Sequence, residues 1–323
     1  MNQNFIHKND LYYEDMPEEI YNERNLVSSI FIKLTLSSIL AVLIIVGLQF
    51  VLLSVFDLDS YDSWIFMGVN ELYTVVIALL FTLFTHKTPK MCPVAVDSMN
   101  FMSFFKYVIV AISIMVIGSL IGNGISSLTG MLIEQEVDNS VEWIIESFNT
   151  VEIIIYVVII APIIEELIFR KMMIDRLIRY GTKFCVVISG ISFGLFHGNF
   201  YQFFYAAGLG ALMSYMYCVY GKVRYTILLH MFINFMGSIV AINIQSWILS
   251  ENVFVSAFSS LYALAYYAAI PLGVFIIVKS LKNINVYMLD GILVKPFKVL
   301  KLNFGFSLFV LYSVLTFAGN ILL

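Results

Sequence analysis

Charge is what this sequence has least of. Only 12% of its 323 residues are Asp, Glu, Lys or Arg, against about 25% in a soluble domain. Hydrophobic residues make up 60% of the chain and the mean hydropathy is +0.91. With several apolar runs of ~20 residues, this composition excludes a soluble enzyme and a nucleic-acid binder. The fold class it predicts is an all-α polytopic membrane bundle. Cysteine is also scarce. Cys92, Cys185 and Cys218 have no CxxC spacing, so reduced thiols and no disulfide framework are expected. A cleavable signal is not expected, because the N-terminal region is acidic ("DLYYEDMPEEIYNER") and the first apolar run is too long. No inverted repeat and no pair of Gly/Pro-broken segments is visible, which disfavours a proton-coupled transporter.

Nine apolar segments are present, at roughly 34–56, 64–85, 107–133, 151–169, 182–198, 203–220, 225–249, 254–278 and 302–323. Alternate connections ("DLDSYDS", "EQEVDNSVEW", "GNFYQ", "SEN") contain no Lys or Arg. All 18 basic residues lie in the other connections and the N-terminal tail. A wrong helix count would scatter them over both sides. By the positive-inside rule the N-terminus is cytoplasmic and the C-terminus is outside. The expectation is a multi-pass protein of a cell membrane, most simply a bacterial plasma membrane. Residues 1–33 are expected to form a cytoplasmic tail and 34–323 a transmembrane domain. The basic stretch "LVKPFKVLK" reads as an ordinary cytoplasmic loop.

Against this background, "IIEELIFRKMM" (163–173) is anomalous. A charge at the bilayer centre costs at least ~2.5–3.5 kcal/mol on insertion scales. Glu166 and Arg170 are four apart, share a helix face and can pair. Glu165 is turned about 100° away and must find a partner on another helix. The next segment carries Phe193 and His197 at the same spacing. It also carries Gly190, Gly194 and Gly198, which at i, i+4 and i+8 would let a neighbouring helix approach closely. Glu165 and His197 each lie sixteen residues from Gly181, near the centre of the intervening turn. In an antiparallel hairpin they should be level, ~24 Å from the turn. His230 and Asn234, again four apart, sit in the cytoplasmic half of the seventh segment.

Other polar groups have plainer readings. Asn70 and Glu71 read as a cap at the outer interface. Asn123, Ser126 and Ser127 read as helix-packing groups, and Asn243 and Gln245 as approaching the outer interface. The tyrosines and phenylalanines read as lipid-facing and interfacial belts.

In order, the motifs are EExxxR (Glu165, Glu166, Arg170), FxxxH (Phe193, His197) and HxxxN (His230, Asn234). Their order and their places in membrane segments resemble the CPBP family, the CAAX-protease and bacteriocin-processing (Abi) intramembrane proteases. The resemblance covers roughly 145–250 and implies hydrolysis of a peptide bond at or within the membrane. A desolvated carboxylate suits a general base, so Glu165 is expected to activate water with help from His197. His230 and Asn234 are expected to donate to the oxyanion, and Glu166 with Arg170 to hold the helix face in register. Glu165, His197 and His230 could together hold Zn2+ with a position left for water. No HExxH is present, and metal-free glutamate chemistry is favoured, with no other cofactor. The implied partner is a membrane-embedded or membrane-associated peptide, prenylated or not. The alternative is a non-catalytic scaffold, in bacteriocin immunity or beside a sensor kinase, where the same groups would specify a helix interface.

Overall fold

The computed structural model describes residues 17–55, 63–91, 98–135, 137, 139, 147–281, 291–293 and 295–322. These residues form helices and connections and contain no strand. The helices are α1 (Pro17–Val55), α2 (Ser63–Thr85), α3 (Phe101–Ile133), α4 (the run 150–177), α5 (Thr182–Phe196), α6 (Phe200–Tyr220), α7 (Val223–Ile248), α8 (Val253–Leu281) and α9 (Phe304–Leu322). They match the nine expected segments in order. Seven of them are long and apolar enough to cross a membrane. The other two are α4, which carries the charged stretch, and α5, which has 15 residues.

Local chemistry fixes the helix ends. Asn100 caps α3 through its side chain to the Ser103 N–H at 2.8 Å. Asn149 and Glu152 form a reciprocal capping box at the start of α4. Gly181 (φ 90°) makes the turn between α4 and α5, a conformation that a side chain disfavours.

α4 is not a regular α-helix. It is π-helical over Ile153–Ile160 and Leu167–Ile174, with an α-helical piece, Ala161–Glu166, between them. Pro162 explains part of this. It has no N–H to give the preceding turn, which interrupts the regular hydrogen-bond ladder there.

The layers pack through small residues. α6 lies between α5 and α3. A Cβ on Gly190 or Gly194 would come within 2.9 or 2.8 Å of the Ala211 or Ala207 methyl of α6, so this part of the small-residue stripe does what its spacing predicts. Gly198 departs from it. It lies beyond the end of α5 at φ 70°, and a Cβ there would meet Thr316 of α9 at 2.8 Å.

Several sequence expectations are corrected. α1 begins at Pro17, so 17–33 is helix and not tail, and Val27, Ile30 and Phe31 are fully buried. Residues 1–16 lie outside the described residues. The "LVKPFKVLK" stretch is also docked. It contains a 3-10 turn, Pro296–Leu300, whose Val299 is fully buried, and the Asn303 amide after it donates to the Arg24 carbonyl at 3.1 Å. Many aromatics are core rather than belt: Phe31, Phe81, Phe169, Phe184, Phe193, Phe309, Tyr180 and Tyr217 are buried, while Phe50, Phe101, Phe254 and Phe258 are exposed on the apolar surface. Of the three α3 groups, Ser126 is buried but Asn123 and Ser127 are exposed. Cys185 and Cys218 are free and buried, and Cys92 lies outside the described residues.

At the basic face, Arg179 pairs with Glu23 of α1 at 2.8 Å and Tyr180 donates to the same carboxylate at 2.6 Å. Burial, and then that carboxylate, push the Tyr180 phenol up, so it stays protonated and donating. The α4–α5 turn is thereby locked to the start of α1.

Candidate active site

Glu166 and Arg170 form the anchor. Arg170 Nε donates to Glu166 Oε2 at 2.9 Å and Nη2 to Oε1 at 3.1 Å, with both side chains fully buried. This bidentate geometry is what makes a buried pair tolerable. Arg170 Nη1 donates to Ser189 Oγ of α5 at 2.9 Å, and the guanidinium lies 5.1 Å from the centroid of Phe193. All three donor groups of the arginine end are therefore used, and α4 is tied to α5.

Glu166 also orients His230. His230 Nδ1 lies 3.2 Å from Glu166 Oε1. An ionised carboxylate held by arginine can only accept, so Nδ1 carries the hydrogen. The other ring nitrogen, Nε2, then faces Glu165, 3.7 Å from its Oε2. The adjacent glutamates have thus separated. Glu166 is inaccessible and holds an imidazole from behind, while Glu165 is partly exposed, at 13% of its side chain. The anchor does more than keep a helix in register, since it fixes the tautomer of His230.

His197 has a different support. Its Nδ1 lies 2.8 Å from the Phe193 carbonyl one turn back. A carbonyl accepts only, so Nδ1 is the N–H and Nε2 presents a lone pair. His197 ends α5 and lies within electrostatic reach of both Glu165 and His230. Phe193 sits among these groups, with its ring edge-on to His197 (4.9 Å), His230 (5.6 Å) and Phe169 (5.1 Å). The phenylalanine of FxxxH is the apolar spacer that sets the distance between the imidazoles.

Asn234 is committed elsewhere. Its Nδ2 donates to the Val157 carbonyl of α4 at 2.8 Å. The reason lies in α4. Within the π-helical turn the Ala161 N–H bonds the Tyr156 carbonyl. The next donor in that register would serve Val157, but residue 162 is proline and has none. Asn234 fills the vacancy and locks α7 against α4. One amide N–H is thus structural, and only the second is left for the oxyanion role expected of this residue.

Glu165, His197 and His230 are the set that would hold a metal ion if one were bound. Among the described residues no group of three His, Cys, Asp or Glu side chains is disposed to hold a metal ion.

Ser189, Pro162 and Asn320 were not singled out in the sequence. Asn320 of α9 donates to the Gly198 carbonyl at 3.0 Å and holds the turn beside His197. Glu71 is also not a terminal cap. It lies inside α2, its Oε2 is buried without a hydrogen-bond partner, and it interacts electrostatically with Glu165.

The family model of the Rce1-like type II CAAX prenyl endopeptidases matches residues 147–236. The match spans about a quarter of the chain, includes all three motifs, and bears out the resemblance to the CPBP and CAAX-protease family. At family level, this stretch is similar to the CAAX-type intramembrane endopeptidases. No curated protein and no solved structure matches the chain.

Proposed function

We propose that this protein is an intramembrane endopeptidase that hydrolyses a peptide bond of a membrane-associated peptide or protein by glutamate- and histidine-activated water. The premise is the family-level match over 147–236. The observation that carries the reading is the division between the two adjacent glutamates. Glu166 is sealed behind His230, and Glu165 stands in front of it, 3.7 Å from Nε2.

The chemistry follows from these positions. A water held between Glu165 and the open Nε2 of His197 loses a proton to Glu165 as its oxygen attacks the carbonyl carbon. The developing oxyanion meets the remaining N–H of Asn234, while His230, its one N–H given to Glu166, presents Nε2 to the site as an acceptor. Glu165 then returns the proton to the leaving amine, so the carboxylate ends as it began. Arg170 and Glu166 keep His230 in one tautomer throughout. No step is routed through a metal.

Comparative peptidomics of membranes containing wild-type or Glu165→Gln protein tests this. Peptides released by the wild type and absent from the variant are the expected result. Full release by a normally folded Glu165→Gln protein would sink the assignment. The scaffold alternative expects the phenotype to survive in both Glu165→Gln and His197→Ala.

A further inference from the structure

Glu71 is a carboxyl group in a membrane-spanning helix with one oxygen buried and unpartnered. Its position relative to Glu165 can be read from three contacts. A Cβ on Gly68 would lie 3.3 Å from the Tyr156 hydroxyl, Thr82 Oγ1 donates to Met172 Sδ at 3.4 Å, and Arg176 Nη2 donates to the Thr85 carbonyl at 2.9 Å. α2 and α4 therefore run parallel in fixed register. Glu71 is one turn past Gly68 on the same face, so it points toward α4. The register sets it ~8 Å beyond Glu165, away from the basic face. Two glutamate side chains and a water span such a gap.

The base role proposed for Glu165 and the groups around Glu71 decide which carboxyl carries charge. Glu165 has the His230 Nε2 at 3.7 Å and His197 within electrostatic reach. Glu71 has Glu165 from α4 and Thr74 on its own helix. The neighbouring helix α1 has no charged residue from Leu34 to its end, and α9 has none anywhere. The phenols of Tyr73 and Tyr312 face each other at 3.5 Å, and the Tyr156 hydroxyl of α4 lies one turn away, against Gly68. Two carboxylates in one low-dielectric region do not both ionise readily. Glu165 must be ionised to act as the base proposed above, so Glu71 is the one that keeps its proton.

We propose that Glu71 is a neutral carboxylic acid and a positioning residue of the Glu165 site, donating a hydrogen bond to the water that Glu165 activates. This rests on the function proposed above. Glu71 gives up no proton during turnover. It fixes the water from the side opposite the histidines, and by staying uncharged it leaves the negative charge on Glu165.

Infrared spectroscopy of the intact protein in membranes needs no substrate and reports the protonation directly. The expected spectrum contains a protonated-carboxyl stretch that is lost in Glu71→Gln and kept in Glu165→Gln. A stretch unchanged in Glu71→Gln would overturn the proposal, whatever becomes of the peptidase reading. Kinetics test the role, using a synthetic peptide spanning a cleavage site found by peptidomics. Glu71→Ala should lower kcat about tenfold with KM unchanged, the loss of one hydrogen bond. Glu71→Gln, neutral and still a donor, should restore kcat to within about threefold. A glutamine variant as slow as the alanine one, with both folded by thermal unfolding, would show that a neutral donor is not what the site uses.

Discussion

His230 Nδ1 faces Glu166 at 3.2 Å while its Nε2 faces Glu165 at 3.7 Å, so one imidazole stands between two consecutive glutamates. Successive residues on a helix differ by about 100° in direction. A ring reaching across from α7 can touch both carboxylates only because its two nitrogens lie on different edges. The consequence is a division of labour: the residue behind orients the imidazole, and the residue in front is the one proposed to react.

Breaking the buried pair should harm folding more than removing it. Glu166→Gln leaves Arg170 buried without a counter-charge and is expected to cost about 3–5 kcal/mol. The double variant Glu166→Leu with Arg170→Met should recover much of that stability. It should not recover cleavage, because His230 loses its orienting acceptor. Thermal unfolding in detergent, read beside peptide release, separates the two effects.

The Asn234 bridge to Val157 predicts a specific coupling. Pro162→Ala returns an N–H to α4 that can serve the Val157 carbonyl. Asn234→Ala alone should cost about 1 kcal/mol or more, since it orphans a part-buried carbonyl. In the Pro162→Ala background the same substitution should cost distinctly less. Additive costs in this double-mutant cycle would show that the proline does not create the vacancy.

Gly190 and Gly194 should not tolerate even a methyl group. At these positions it would press on the α6 backbone as well as on alanine side chains, with Ala207 O 3.0 Å from the Gly190 site and Phe203 O 2.8 Å from the Gly194 site. Alanine at either is expected to cost about 1–3 kcal/mol. Gly124→Ala, where nothing lies within 4 Å, is the control and should be neutral or slightly stabilising.

His197 rests on a backbone carbonyl, so its ring orientation does not depend on the Glu166–Arg170 pair. His197→Ala is expected to lower cleavage by about 10²–10⁴-fold, the range of general acid–base assistance. It should shift unfolding little, because the site is partly open. A large loss of stability with cleavage retained per folded molecule would point to a packing role.

The helix order, the basic face and the i, i+4 pairs were legible because periodicity and charge asymmetry are local properties of the chain. Glu166 and Arg170 could be paired without coordinates, since one helix supplies both. His230 and Asn234 could be placed on one face for the same reason. Which partner each would find across the bundle could not be read. That Asn234 also bridges to Val157 could not be read until α4 proved to be π-helical around a proline. Glu71 looked like a cap until α2 proved to run parallel to α4 in a register that turns it inward.

Composition and spacing alone committed this chain to a helical membrane bundle and put carboxylates and imidazoles inside it, because lipid lets few other arrangements satisfy a polar backbone. Only the packed structure decided which glutamate is sealed and which is open, which nitrogen of each histidine is spent, and which carbonyl lacked a donor. Those outcomes depend on hydrogen bonds between helices far apart in sequence, and no periodicity within one helix encodes the angle or register at which another will meet it.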